Sequence, residues 1–283
     1  MKKTADEYDG YIELAIKPLN QRSIADKLLY SGQSRISARM NLNNEDTLCY
    51  FLITMGGGIT QGEEYLTKIQ LAPESRAIIS TQAPTYVYKC DDGKISKQFF
   101  EISLGENSIL EYLPDNVIPY KNANYDQISE IKLGKGASLI YSDGITAGWA
   151  PDGSDFKYDY VHMDTKLLYE GKLMYSDNMI LDPQNFDLNE LGMYENYRNY
   201  SSLIAVNEKI DEDFVHTMQQ QLSKDKHCNW GISKLEGPGL VLRVLGESIS
   251  ANQQKIYEAA NYLRQKLFDS PALDLRKDAS LWA

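Results

Sequence analysis

The sequence predicts a mainly β fold of stacked strand–turn repeats, arranged like a β-helix, with two α-helices in the C-terminal half. Three observations predict it. Tyrosine occurs 20 times, and aromatic and β-branched residues suit half-buried pleated sheet. A strand–turn–strand pattern recurs through the middle of the chain. Beyond residue 205 the pattern gives way to two segments with helical spacing of apolar residues.

The repeat comes first. Ile69 opens IQLAPESRAIIS, Ile102 opens ISLGENSILEY, Ile131 opens IKLGKGASLIYSD, and Leu167 opens LLYEGKLMYSD. Each reads apolar–x–apolar, then a polar turn, then a second apolar run. The four starts are 33, 29 and 36 residues apart. One such unit cannot bury its own apolar face, so units of this length are expected to stack. The alternative is that strand–turn–strand units merely resemble one another. If they stack, equivalent positions align. Glu111, Asp143 and Asp177 each follow a second apolar run, and the last two end YSD triplets 34 residues apart. The expectation is that these acids lie along one line.

In DEDFVHTMQQQLSKD, Phe214, Met218 and Leu222 are four apart behind a capping Asp211, which predicts a helix over 211–224. WGISKLEGPGLVLRVLG reads as two strands around a Gly-Pro-Gly turn. Ile256, Ala260, Leu263 and Leu267 then define one face of a helix over 250–268, with Pro271 beyond its end. The apolar ending Leu281-Trp282 is expected to dock onto this chain or a partner. The chain reads as one domain over 1–283. A β-stack spans 1–205, and a helix–strands–helix unit and tail over 206–283 pack on it.

Composition removes several classes of function. Formal net charge is −11, which opposes binding to nucleic acid and anionic membranes. No apolar run is long enough to span a membrane, and MKKTADEYDGYIEL lacks the apolar core of a secretory signal. Cys49, Cys90 and Cys228 are far apart and odd in number. A reduced cytoplasmic setting is therefore expected.

The glycine-rich stretch TMGGGITQGEE does not fit a phosphate loop, because Glu63 and Glu64 follow Gly62 where Lys-Ser or Lys-Thr is needed. Its Gly-x-Gly-x-x-Gly match runs into a strand-like YLTKIQL, so the dinucleotide reading fails too. The three histidines, His162, His216 and His227, form no zinc spacing, and no nucleophile elbow is present. What remains is a set of acids and hydroxyls at strand ends: Glu63, Ser80, Thr81, Thr85, Glu111, Asp143 and Asp177. Composition alone reads them as turn acids and edge solubility.

Seven motifs then occur in order: GGGITQGEEY, STQAPTYVYK, ILEYLPDNVIPYKNANY, LIYSDGITAGW, FKYDYVHMD, SDNMILDP and the helix region after LVLRVLG. In these the chain resembles the UreD family of urease accessory proteins, called UreH in some organisms, from about Gly10 to its C-terminus. The resemblance implies a non-enzymatic maturation factor with a mainly β stack and two helices. It implies binding to apo-urease and to UreF, and through UreF to the GTPase UreG, within a dimeric UreD–UreF assembly. It further implies an internal tunnel through which nickel reaches the urease active site. It implies too that no cofactor is held permanently and that Ni2+ is in transit.

Carried over by motif, Glu63 stands where the family's loop ends in aspartate. Tyr86 replaces the family's lysine after a retained Thr85. Asp143 and Asp177 match the family's acidic positions. Glu63, Asp143 and Asp177 are thus the candidate nickel path, with Thr85 and Glu111 nearby in motif. Nickel accepts carboxylate and water ligands but is held more tightly by imidazole and thiolate, so scattered carboxylates suit transit. Two other readings stay open: a carbohydrate-active β-solenoid, and a structural urease chaperone without a metal path.

Overall fold

The computed structural model describes residues 3–20, 22–42, 45–275 and 277. An opening hairpin pairs β1 (Gly10–Leu19) with β2 (Arg22–Gly32). The short strands β3 (Ser34–Ile36) and β4 (Met40–Leu42) lead into β5 (Glu45–Thr54). Coils follow. The first is β6 (Glu64–Leu71), β7 (Arg76–Thr81) and β8 (Thr85–Val87). The second is β9 (Ser96–Leu104), β10 (Ile109–Leu113) and β11 (Val117–Pro119). The third has β12 (Asn124–Leu133) and β13 (Ser138–Thr146), with Trp149 bridging Tyr120 in place of a third strand.

The repeat read from the sequence is the register of the stack. Ile69 pairs with Ile102, Ile102 with Ile131, and Ile131 with Leu167, all in parallel. All four are buried between the two main sheets. One backbone bond recurs at the turn of each coil: Gly105 N donates to Leu71 O, Gly134 N to Leu104 O and Glu170 N to Leu133 O, each at 2.8 Å. Gly105 is required there, since a Cβ would lie 2.6 Å from Pro73 N of the coil beside it.

The fourth coil is begun by β14 (Tyr160–Tyr169) but not completed. Glu170 and Gly171, both left-handed, turn the chain back as antiparallel β15 (Lys172–Leu181). Asp177 therefore does not occupy the position in the fourth coil that Asp143 holds in the third. The first lies in the smaller sheet and the second in the larger. The shared YSD triplets are not structural equivalents.

The smaller sheet runs β15-β14-β12-β9-β6-β1-β2. The larger is completed by β16 (Asn199–Val206), β17 (Cys228–Lys234) and β18 (Gly239–Gly246), in the order β17-β18-β16-β13-β10-β7-β5-β3. The strands after residue 206 thus extend the stack's own sheet, while the helices lie on its outer face. Helix α1 (Glu212–Gln221) is capped by Asp211, whose side chain accepts from Phe214 N. It ends short of the expected 224, at an extended Leu222. Helix α2 (Ile249–Phe268) buries Ile256, Ala260, Leu263 and Leu267 against Ile78, Ile140 and Leu203 of the sheet. Ile256, Leu263 and Leu267 each contribute about 1.5–3 kcal/mol by leaving water, and Ala260 less. Leu281 and Trp282 lie outside the described residues. No helix among the described residues is long and apolar enough to cross a membrane.

Candidate functional site: a polar seam between the sheets

Alternation along the inner strands is not uniformly apolar. Toward the turns after β6, β9, β12 and β14 the inward positions are Leu71, Leu104, Leu133 and the buried Ile69 row. Toward the opposite end Thr67, Gln98, Gln127, Ser129 and Thr165, all buried, interrupt the apolar inward positions. The interior therefore carries a polar band toward that end, beside Phe100, Tyr65, Tyr125 and Val161.

The polar end forms a connected series. Tyr125 Oη lies 2.7 Å from Gln98 Oε1 and 3.1 Å from Gln127 Oε1. Gln127 Nε2 donates across the gap between sheets to Asp143 Oδ2 at 2.5 Å. Tyr141 Oη sits 3.3 Å from the same oxygen and 3.2 Å from Ser129 Oγ. Gly144 N donates to Asp143 Oδ1 at 2.8 Å. The fully buried Tyr112 hydroxyl, in the same gap, finds no hydrogen-bond partner among the described residues. Buried polar groups of this kind are held by hydrogen bonds or contact an aqueous space.

Crevices open at each side of this series. One is lined by Gly57, Gly58, Thr81, Thr85, Tyr86 and Tyr112, and reaches Gln98. The other is lined by Tyr141, Asp143, Thr165, Tyr175, Asp177 and Tyr200. Asp143 also borders a third crevice under α2, with Asn116, Ser201 and Gln253. Asp143 as a whole is half-buried. Burial pushes its pKa from the ordinary 3.8 up to about 7, against the hydrogen bonds from Gly144, Tyr141 and Gln127, and Asp177 adds to the rise.

The structure thus brings Asp143 and Asp177 to one crevice, from facing sheets rather than from successive coils. Tyr175 Oη donates to Asp177 Oδ2 at 2.9 Å, and Arg243 Nη2 lies 3.7 Å from that oxygen. Glu63 is placed elsewhere. Its Oε2 accepts from Thr60 N at 2.8 Å and Tyr65 Oη at 3.0 Å, closing the turn before β6. The glycine loop's contribution to the crevice is Gly57 and Gly58. At Gly58, with φ +151°, a Cβ would meet Tyr86 O at 2.6 Å. The loop packs so closely because Ile59 N donates to Tyr86 O.

Glu111 does not join the line expected of it. It pairs with Ile140, three residues before Asp143, so the two acids leave opposite faces of the sheet. Glu111 is buried beneath α2, where Arg264 bonds both it and Glu45, and Arg76 Nη2 lies 3.1 Å from Glu111 and 3.2 Å from Glu45. Ser80 faces the same side and meets Lys277 Nζ at 2.8 Å. Thr81 donates to Asp115 Oδ2 at 2.9 Å, which Lys277 also reaches.

The thiols are buried, and burial pushes Cys49 up to about 12. His162, His216 and His227 bond to Asn178, Gln220 and Glu247 at the surface. Among the described residues no three His, Cys, Asp or Glu side chains gather as a metal-holding group. Sequence reasoning missed Gln98, Gln127, Ser129 and Thr165. The signal was present: each lies two or four residues before an aligned repeat start, at an inward position where an apolar residue is the rule.

These features define a capped β-stack with a polar, acid-bearing interior and no clustered metal centre among the described residues. A family model described as UreD urease accessory protein matches residues 8–279. The chain is 43% identical to the urease accessory protein UreD of Streptococcus salivarius (strain 57.I), over 96% of this chain and 97% of that protein. It is 34% identical to the protein of that name from Ureaplasma parvum serovar 3 (strain ATCC 27815 / 27 / NCTC 11736), over 94% of each. A third, from Lachnoclostridium phytofermentans, is 34% identical over 85% of this chain and 88% of its own length. The chain belongs to the UreD family of urease accessory proteins.

Proposed function

We propose that this chain is a scaffold in urease maturation that assists delivery of nickel to the urease active site through the polar seam. In this reading it binds apo-urease on one surface and UreF on another, reaches UreG through UreF, and works in the cytoplasm within a dimeric UreD–UreF assembly. It is not an enzyme, and nickel is its cargo rather than a resident cofactor. Family membership favours this over the carbohydrate-active reading.

The observation that carries the metal path is Asp143. A buried carboxyl is costly unless paired, hydrated or bound to a cation. Asp143 receives only neutral donors, and it shares its crevice with a second carboxylate. A divalent cation relieves the repulsion between the two acids. Few and spaced oxygen ligands bind weakly enough to release, as conduction requires. Thr81, Thr85 and Tyr86 line the crevice at the other side of the seam. Glu63 acts there only through Tyr65, which its carboxylate holds. Tyr86 brings a hydroxyl and no charge where the family carries lysine.

The test is nickel loading of urease in the reconstituted complex. Asp143→Asn and Asp177→Asn should leave assembly intact and lower nickel loading, and the double variant should lower it further. Unchanged loading in all three, with assembly intact, would leave a structural chaperone without a metal path.

A further inference from the structure

Arg243 lies over the inner crevice. The register pairs Asp143 with Ser202 and Ser202 with Arg243, so Arg243 is two strands from Asp143 on the same face of the larger sheet. It is about half-exposed and touches three residues of the crevice wall: Tyr175, Asp177 and Tyr200. Its hold on Asp177 is slack. A single Nη2 stands 3.7 Å from the carboxylate and 3.3 Å from the Tyr175 hydroxyl. Arg198, by contrast, grips Asp155 with two nitrogens, at 3.0 and 2.6 Å. Arg–carboxylate pairs are frequently forked and close; the Arg243–Asp177 pair is neither.

We propose that Arg243 is a displaceable plug at the mouth of this crevice that admits divalent cations and refuses monovalent ones. The proposal rests on the nickel-path reading of the seam and concerns how that path is closed. Among the described residues the guanidinium supplies the one positive charge paired with Asp177. A monovalent cation brings no more charge than the group it would replace, so it gains nothing by entering. A divalent cation brings one charge more, and it can be shared with Asp143 behind. Displacement costs little, because a half-exposed ion pair of this length favours the closed arrangement by about fivefold at most, and the hydrogen bonds to Tyr175 and Tyr200 are exchanged for water. The Arg243 side chain then swings into solvent, where its charge is fully hydrated.

The test uses the full-length chain and Ni2+ alone as the probe, by equilibrium dialysis. Arg243→Gln should bind Ni2+ about fivefold more tightly. Arg243→Lys, which keeps the charge, should stay near the unmodified protein. Adding Asp177→Asn to Arg243→Gln should remove the gain. Exchanging choline chloride for KCl at constant ionic strength should weaken Ni2+ binding by Arg243→Gln and leave the unmodified protein unchanged. Equal affinity in Arg243→Gln, or a gain that survives Asp177→Asn, overturns the plug. If Arg243→Gln does not fold, the unmodified protein still decides. Ni2+ should accelerate modification of Arg243 by phenylglyoxal, and an unchanged or slower rate overturns the proposal. Failure of the nickel-path reading appears separately, as unchanged urease loading by the Asp177→Asn complex whatever its isotherm.

Discussion

Glu111 and Asp143 are two acids on neighbouring strands of one sheet, the first fully buried and the second half-buried at a crevice, and they have opposite fates. Glu111 lies on the outer face, where two arginines and Glu45 close around it. Asp143 lies on the inner face and is met by an amide, a hydroxyl and a backbone N–H. The first is a finished ion cluster that ties α2 and the segment after it to the stack, since Arg264 also donates to Pro271 O at 3.0 Å. The second has only neutral donors among the described residues. The charge of a buried acid therefore says less about its role than the partners the fold gives it.

The largest effect that would sharpen this contrast is at Arg264. Arg264→Met leaves Glu111 and Glu45 with Arg76 alone, and should cost about 3–5 kcal/mol of stability, read as a lower urea midpoint. Adding Glu111→Gln should recover part of that loss, because the stranded charge goes with it.

Asp143 should behave in the reverse sense. Its folded pKa, about 7, lies above the ordinary 3.8, so the folded state favours the protonated acid. The stability it contributes is full below about pH 4, declines as pH rises, and is gone above about pH 7. Asp143→Asn should lack this decline. Its stability relative to the unmodified protein should thus grow between pH 4 and 7 by up to a few kcal/mol, measured by denaturation at several pH values. A constant difference across that range would mean that the acid already has a cationic partner.

Hydroxyls give the smallest test. Tyr141→Phe removes a bond to Asp143 or Ser129 and should cost about 1 kcal/mol. Tyr112→Phe removes a hydroxyl without a partner among the described residues and should lie within about 0.5 kcal/mol of neutral. Equal losses at both would place a strong partner on Tyr112.

Much of the fold was legible because stacking imposes local rules. Ile69, Ile102, Ile131 and Leu167 stand in one row because each coil needs an inward apolar residue at the same height. The helices were legible from Met218 and Ile256, whose spacing marks the buried stripe. The site was half legible. Asp143 and Asp177 meet, yet the repeat that suggested it is accidental, since a left-handed Glu170-Gly171 turn diverts the chain before the fourth coil closes. A turn's hand decides which sheet receives the next strand, and two residues of sequence give little warning of it. Glu111 could not be separated from Asp143 by motif alone. Whether an acid faces inward or outward depends on its parity along the strand, and its neutralising Arg264 lies 153 residues away.

The diverted hairpin has a consequence for assembly of the chain with itself. A stack of parallel coils has no intrinsic length, because each end offers the edge on which another coil would form. Here the smaller sheet begins with antiparallel β2 and ends with antiparallel β15, so neither end presents a strand running in the direction of the coils. A further coil from a neighbouring molecule would meet an edge that runs against the coils, so the parallel register of the stack does not continue past it. The reversal at Gly171 thus acts as a stop codon written in backbone geometry: it fixes how many coils this molecule has.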